Sequence, residues 1–204
     1  MSSDIPVVFV VDDDISMRES LEALIRFAGW RVQTFESAQA FLACPHPGTP
    51  SCLVLDVNLP DLSGLDLQSR IAGERFDMPI IFITGYGDVP STVQAMKAGA
   101  FDFLTKPFGD EVLLTAIENA IKRSHIALDH NAELSALRTD QASLTRREQE
   151  VMELVVSGLL NKQIGGHLSI SEITVKAHRG KVMRKMKATS LPDLVTKVAR
   201  LRLA

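Results

Sequence analysis

The stretch SCLVLDVNLPDLSG, residues 51–64, leads an apolar run directly into the acid Asp56 and then breaks into a turn of Pro, Asp, Ser and Gly. A short apolar run bounded by turn residues predicts a buried strand. An acid at the tip of such a strand has no obvious packing role. The position of Asp56 therefore indicates that its carboxylate meets a partner at the end of the strand.

Four further apolar runs of strand length lie around this segment, and amphipathic stretches separate them. Such alternation predicts an α/β fold with a parallel sheet covered by helices on both faces. In a flavodoxin-like (βα)5 fold with strand order 2-1-3-4-5, the first and third strands are neighbours. The predicted strands are 7–11, 31–35, 52–56, 79–84 and 101–104, and the predicted helices lie near 15–28, 37–43, 64–74, 90–98 and 110–123.

Four of these strands end in side chains that can take part in chemistry. Asp12 and Asp13 follow the first strand, and Asp56 ends the third. Thr84 ends the fourth strand and Lys106 follows the fifth. Ligands of open α/β sheets bind at these carboxyl ends, where several carboxylates would need a hard cation such as Mg²⁺ to stay ionised together. The pattern favours Asp56 as a nucleophile toward phosphorus, with Lys106 and Thr84 as donors to the phosphoryl oxygens.

Each of these residues alone has a commoner explanation. A strand-end Asp is usually a turn or cap residue, a lone Lys is usually solvated, and Thr84 could be an ordinary strand residue. The convergence of four strand ends on one edge of the sheet favours the functional interpretation.

Four motifs together resemble the receiver domain of two-component response regulators, over residues 1 to about 124. The resemblance implies that Asp56 is the phosphoacceptor and that Asp13 and Asp56 bind Mg²⁺ directly. It further implies that Asp12 acts mostly through water and that Asn58 adds its backbone carbonyl. The motifs are VVDDD (10–14), LVLDVNLPDLSG (53–64), FITGYGD (82–88) and KAGAFDFLTKPF (97–108).

The same resemblance implies a switch. Thr84 and Lys106 would contact the phosphoryl group, and Phe103 would rotate inward and reshape the helix PSTVQAMKAG (90–99) and the strand after it. That surface is expected to form a homodimer on phosphorylation. The family also implies a cis Lys106–Pro107 bond, although the sequence alone favours trans. Tyr86 and Asn58 would tune the lifetime of the acyl phosphate.

Charge divides the chain in two. Residues 144–204 carry 12 basic and 5 acidic side chains, a net +7, whereas the first 143 residues carry a net −10. From Leu144 the pattern is purely helical, with TRRE (145–148) as a capping box and Asn161, Ser171 and Ser190 as further predicted caps. We therefore expect a domain at 1–124, a helical linker at 125–142 and a small all-α domain at 143–204.

The basic end resembles the LuxR-type helix-turn-helix of the FixJ/NarL family, on the motifs NKQI (161–164) and TVKAH (174–178). Ser171 to Lys187 would be the recognition helix, with Val175, Val182 and Met186 packed inward. Gly165 and Gly166 in the preceding helix would each cost about 1 kcal/mol relative to Ala. By the family pattern, Lys176 and Arg179 would reach base edges, and the other expected DNA contacts are Thr174, His178, Lys181 and Lys185.

The resemblance implies a set of partners. These are a cognate sensor histidine kinase, promoter DNA and RNA polymerase, in the bacterial cytoplasm. No run of the sequence is apolar enough to span a membrane, and the N-terminus lacks the pattern of a signal peptide. The two cysteines, Cys44 and Cys52, show no metal-ligand spacing, which is typical of idle thiols in a reducing compartment.

Three other interpretations compete with this one. A haloacid-dehalogenase-type phosphatase would use Asp12 as nucleophile and Asp14 as general acid/base, but it leaves Asp56 unexplained. A scaffold that no longer accepts phosphate would not need the intact set of acids and Lys106. A helical protein-binding module would explain the basic end only as a solvated rim.

Overall fold

The computed structural model describes residues 5–46, 48–73, 75, 77–85 and 89–203, without the side chains of 89–91. Tyr86, which is expected with Asn58 to tune the lifetime of the acyl phosphate, lies outside the described residues. The chain forms two compact units, an N-terminal unit (residues 1–129) and a C-terminal unit (residues 130–204).

The N-terminal unit is a five-stranded parallel sheet with the order β2-β1-β3-β4-β5, which confirms the predicted flavodoxin-like fold. Its strands are β1 (Val7–Val11), β2 (Arg31–Phe35), β3 (Ser51–Asp56), β4 (Ile80–Thr84) and β5 (Asp102–Thr105). Its helices are α1 (Ile15–Phe27), α2 (Ala38–Leu42), α3 (Gly64–Ile71), α4 (Val89–Lys97) and α5 (Asp110–Ala142).

The central strands read as continuous apolar runs because both of their faces are buried. Alternate side chains enter two separate cores, with Phe9 and Leu53 in one and Val10 and Val54 in the other. This is the period-2 pattern of a strand between two helical layers. The register pairs the whole of β1 in parallel with residues 51–55 of β3, so the next residues, Asp12 and Asp56, emerge at the same edge of the sheet.

Helix lengths differ from the sequence expectation at two places. α3 ends at Ile71 instead of residue 74, just before Gly73, which is a poor helix former. α5 continues to Ala142, beyond the expected end at residue 123. No Gly or Pro occurs between Asp110 and Ala142, so the sequence contains no residue that would end this helix.

The C-terminal unit consists of the end of α5 and four short helices around one apolar core. The capping box of Thr145 and Glu148 is confirmed, and Ser171 caps the third of these helices as predicted. The helices are α6 (Arg146–Val156), α7 (Asn161–Leu168), α8 (Glu172–Lys185) and α9 (Leu191–Leu203), and the core includes Leu144, Val151, Met152, Ile164, Val175, Val182, Met186 and Leu194.

The prediction that Asn161 caps α7 is wrong. The Leu160 backbone N–H at the start of this helix donates to Gln163 Oε1 at 2.8 Å. The Asn161 side chain instead accepts a hydrogen bond from Arg179 of α8 at 2.6 Å. The Asn161 side chain therefore makes a tertiary contact with α8 instead of capping its own helix.

The two glycines of α7 have different surroundings. A Cβ on Gly165 would lie 2.8 Å from the backbone oxygen of Ile170, whereas a Cβ on Gly166 would meet nothing within 4 Å. Gly165 therefore allows the close approach of the turn between α7 and α8. Gly166 carries only the backbone-entropy cost that the sequence predicts for both.

Alanine at these adjacent positions should act in opposite directions. Gly165→Ala is expected to lower the free energy of unfolding by about 1–3 kcal/mol, because backbone must move. Gly166→Ala should raise it by up to about 1 kcal/mol. Urea unfolding of the two variants followed by circular dichroism measures both effects. Equal stabilisation by both substitutions would contradict the close approach at Gly165.

Candidate functional site

Three carboxylates converge at the carboxyl edge of the sheet. Asp12 and Asp13 follow β1, and Asp56 ends the neighbouring strand β3. One ligand oxygen from each lies within 4.8 Å of the others. Asp12 and Asp56 are buried and Asp13 is exposed, so the cluster opens to solvent on one side. Three carboxylate oxygens in such an arrangement fit a hard divalent cation.

Lys106 bridges the two buried acids. Its Nζ donates to Asp12 Oδ2 and to Asp56 Oδ2, each at 2.7 Å. Burial raises the pKa of the Asp12 carboxyl, and the hydrogen bond from Lys106 offsets part of that rise. Burial would lower the pKa of Lys106, but its hydrogen bonds to Asp12 and Asp56 outweigh burial and raise it. Lys106 is therefore a fixed cation directed at the carboxylate that the sequence selects as nucleophile.

Backbone groups hold the acids in place. Asp56 Oδ1 accepts from the Asn58 N–H at 2.9 Å, and Asp12 Oδ1 accepts from the Asp14 N–H at 2.9 Å. Arg18 Nη1 donates to the carbonyl oxygens of Asp12 at 2.7 Å and Asp13 at 2.9 Å. The role of Arg18 could not be predicted from the sequence, because nothing around a single arginine near the start of a helix shows that it binds the carbonyl groups of the preceding loop.

Gly64 was also missed as a site residue. Its N–H donates to Val57 O at 2.9 Å, and a Cβ built on it would lie 2.5 Å from the backbone oxygen of Asp56. A side chain at this position would therefore displace the strand end that carries the Asp56 carboxylate.

Thr84 and Phe103 lie on the adjoining strands. Thr84 is buried at the end of β4, and its carbonyl accepts from the Lys106 N–H at 2.7 Å. Phe103 is half-buried on β5, with its ring centroid 6.2 Å from that of Phe82. The Lys106–Pro107 bond is cis, as the resemblance implied.

Asp14 has a structural task that conflicts with the phosphatase interpretation. Its Oδ1 accepts from the N–H groups of Ser16 at 2.8 Å and Met17 at 3.4 Å, which caps α1. The side chain that a haloacid-dehalogenase-type enzyme would use as general acid/base is thus committed to the end of a helix.

On α8, the predicted inward face is confirmed, because Val175, Val182 and Met186 are buried. Lys176 and Lys181 are exposed, and Lys176 pairs with Glu172 at 3.3 Å. Thr174 is half-buried with its Oγ1 2.8 Å from Ser171 Oγ. His178 is half-buried, and its Nδ1 has no hydrogen-bond partner within the part of the chain that the structure describes.

Two further expected DNA contacts bind side chains of other helices in the C-terminal unit. Arg179 binds Asn161 of α7, as described above. Lys185 Nζ donates to Glu148 Oε2 at 2.7 Å and to Ser143 O at 2.8 Å. This hydrogen bond from Lys185, with that from the Thr145 N–H, lowers the pKa of Glu148 to about 2. The ammonium group of Lys185, an expected phosphate contact, thus binds a buried carboxylate within the C-terminal unit.

Comparison with known families covers both units. Residues 8–118 match the response regulator receiver domain, and residues 142–198 match the bacterial regulatory proteins of the luxR family. The chain belongs to the response-regulator family. It is a transcriptional response regulator of a two-component system, with a receiver domain and a LuxR-type DNA-binding domain, and the phosphatase alternative has no support.

Relatives of similar length share both parts of this response regulator. Nodulation protein W of Bradyrhizobium diazoefficiens is 51% identical over 189 residues, which cover 93% of this chain and 83% of the relative. Transcriptional regulatory protein FixJ of the same organism is 43% identical over 188 residues, covering 92% of each chain. The solved structure of response regulator StyR is 46% identical with a TM-score of 0.85, covering 96% of this chain and 98% of that one.

No helix in the described ranges of the chain is long and apolar enough to cross a membrane.

Proposed function

We propose that Asp56 accepts a phosphoryl group from a cognate sensor histidine kinase and that this modification controls promoter binding. The observation that supports the proposal is the double hydrogen bond of Lys106 to Asp12 and Asp56 at 2.7 Å. A buried strand-end carboxylate with a fixed cation and two neighbouring acids has no role in packing. It suits attack on phosphorus beside a cation.

In the proposed reaction, an Asp56 carboxylate oxygen attacks phosphorus. A P–O bond forms while the P–N bond to the kinase histidine breaks, and the product is an acyl phosphate. Lys106 moves to the phosphoryl oxygens as a point charge, and Thr84 donates its hydroxyl. Asp12, Asp13, Asp56 and the Asn58 carbonyl would hold Mg²⁺, which supplies neutralisation of the charge that develops on the phosphoryl oxygens.

The added charge of about −1.5 to −2 at Asp56 supplies the switch. Thr84 and Lys106 are drawn toward the phosphoryl group, and the half-buried Phe103 ring turns inward beside Phe82. The surface of α4 and β5 then changes and pairs with a second copy of the chain. In this scheme residues 1–124 form the receiver, 125–142 a helical linker and 143–204 the DNA-binding domain.

On DNA, α8 enters the major groove and the dimer reads two half-sites. Lys176 and Arg179 are proposed to reach base edges. His178 and Lys181 are proposed to contact phosphates, with Lys185 as a weaker phosphate contact and Thr174 as a further contact with DNA. Arg179 Nη1 donates to Asn161 Oδ1, so contact with a base uses its other N–H groups or follows release of Asn161. RNA polymerase is the proposed recipient of the signal, and a promoter-binding role places the protein in the cytoplasm.

Paired lysine variants separate contacts with DNA from contacts within the domain. Lys185→Met should lower the free energy of unfolding by about 1–2 kcal/mol at pH 7, since it leaves the buried Glu148 carboxylate unpaired. The folded-state pKa of Glu148, about 2, lies below its ordinary value of 4.5. This stabilisation is complete above pH 4.5 and is lost as the pH falls toward 2. The difference in the free energy of unfolding between Lys185→Met and wild type should therefore become smaller over that range.

The matched variant is Lys181→Met, at an exposed lysine on the same helix. It should leave stability unchanged. The number of counterions released on DNA binding, which is read from the slope of log affinity against log salt concentration, should fall by about one. Urea unfolding at several pH values and fluorescence anisotropy at several salt concentrations measure the two effects. Loss of stability in both variants alike would contradict the internal role of Lys185.

The proposal is tested by DNA occupancy across the genome in wild-type cells and in cells with Asp56→Ala. Occupancy and transcription at the target promoters should fall to the level of cells without the kinase signal. Asp66→Ala, at an exposed acid on α3, serves as the control and should leave occupancy intact. Unchanged occupancy and output in Asp56→Ala would instead favour a scaffold that no longer uses phosphate.

A further inference from the structure

The side of α8 that faces away from the core is apolar at its N-terminal end. Ile173, Ala177 and Gly180 follow one another at spacings of four and three residues, so they share one face of the helix. All three are exposed, and Ile173 is 80% exposed. We call these three residues the α8 ridge.

The stability of the domain does not explain the isoleucine at position 173. The side chain contributes nothing to the core at this exposure, and a β-branched residue is only a moderate helix former. A polar residue would serve an isolated solvent-facing position better. The isoleucine is therefore better explained by a partner that covers it than by the stability of the domain.

The surroundings of the α8 ridge indicate what that partner is. Lys176 and Lys181 are exposed on the same helix, and the charge of Glu172 is compensated by its pairing with Lys176. Lysines beside a narrow apolar strip fit a partner surface on which negatively charged groups lie next to apolar groups. The major groove of DNA is such a surface, because the C5-methyl group of thymine projects into it.

We propose that Ile173 determines sequence specificity by contacting the C5-methyl group of a thymine in each half-site. The inference rests on the proposed DNA-binding role of α8. Ala177 and Gly180 are small, so the helix can approach the base edges closely. Ile173, in the first turn of the helix, is then the longest apolar side chain at the end that contacts bases in helix-turn-helix proteins. An isoleucine side chain has no hydrogen-bond donor or acceptor, so the methyl group is the feature of the base that it can recognise.

The test uses deoxyuridine, which pairs as thymine does but lacks the C5-methyl group. The phosphorylated full-length chain first selects its binding site from a random DNA library. Each thymine of that site is then replaced in turn by deoxyuridine, and affinities are measured for wild type, Ile173→Ala and Ile173→Val. Ile126→Ala, at an exposed isoleucine on α5, is the control variant.

For wild type, one thymine per half-site should be sensitive to replacement, with a loss of about fourfold in affinity for one buried methyl group. Ile173→Ala should bind the thymine site more weakly and show no further loss with deoxyuridine at that position. Ile173→Val should lie between the two, and Ile126→Ala should match wild type.

Two results would overturn the inference while DNA binding persists. One is an Ile173→Ala variant with wild-type affinity, and the other is an undiminished deoxyuridine effect in that variant. Failure of the proposed function would look different, since the phosphorylated wild-type chain would then select no site from the library.

Discussion

Replacement of Lys106 by methionine is expected to slow acyl-phosphate formation at Asp56 by about a hundredfold or more, while Mg²⁺ binds more tightly. The rate falls because the transition state loses a fixed cation at the phosphoryl oxygens. Affinity for the ion rises because Lys106 Nζ donates to Asp56, a proposed direct ligand, and to Asp12, which is proposed to hold the ion mostly through water. Two cations that need the same oxygens compete for them.

This pair of opposite effects separates the proposed role from a general loss of structure. The rate is measured with a small-molecule phosphodonor, and the affinity for Mg²⁺ by calorimetric titration. Lys122→Met is the matched control, since that lysine is exposed and pairs with Glu118 along its own helix. A Lys106→Met variant with a wild-type rate would contradict direct contact between Lys106 and the phosphoryl group.

Gly64→Ala is expected to cost about 3 kcal/mol in stability and to impair phosphorylation at the same time. The new methyl group would lie 2.5 Å from Asp56 O, 3.1 Å from the Val57 Cα and 3.1 Å from the Phe82 ring. Two of these neighbours are backbone atoms of the strand end that presents the phosphoacceptor, so relief of the clash moves Asp56.

Gly73→Ala provides the comparison, because a Cβ there meets nothing within 4 Å. That variant should remain within about 0.5 kcal/mol of wild type in urea unfolding and keep the wild-type rate of acyl-phosphate formation. If Gly64→Ala behaved like Gly73→Ala in both measurements, the close approach behind Asp56 would have no functional consequence.

Strand-end acids could be predicted from the sequence because the pattern is local. Apolar runs locate the strands, and the parallel order brings Asp12 and Asp56 to one edge once β1 and β3 are neighbours. The role of Lys106 could be predicted for the same reason. The roles of Arg18 and Gly64 could not, since they depend on how a loop and the start of a helix approach the strand ends.

On α8, periodicity predicted the buried face correctly but could not identify the partners of the remaining side chains. Arg179 and Lys185 are cations on a basic helix, and nothing local shows that Asn161 and Glu148 bind them. The length of α5 was underestimated because the polar stretch after residue 123 resembles a linker, although it contains no helix-breaking residue.

The most direct measurement maps the phosphorylated residue. The full-length chain is incubated with a phosphodonor, the acyl phosphate is trapped by borohydride reduction, and the modified peptide is identified by mass spectrometry. We predict a single modified residue, Asp56, that appears with Mg²⁺ and disappears with a chelator. Modification of Asp12 or another acid instead of Asp56, or modification of Asp56 that needs no divalent cation, would contradict the account.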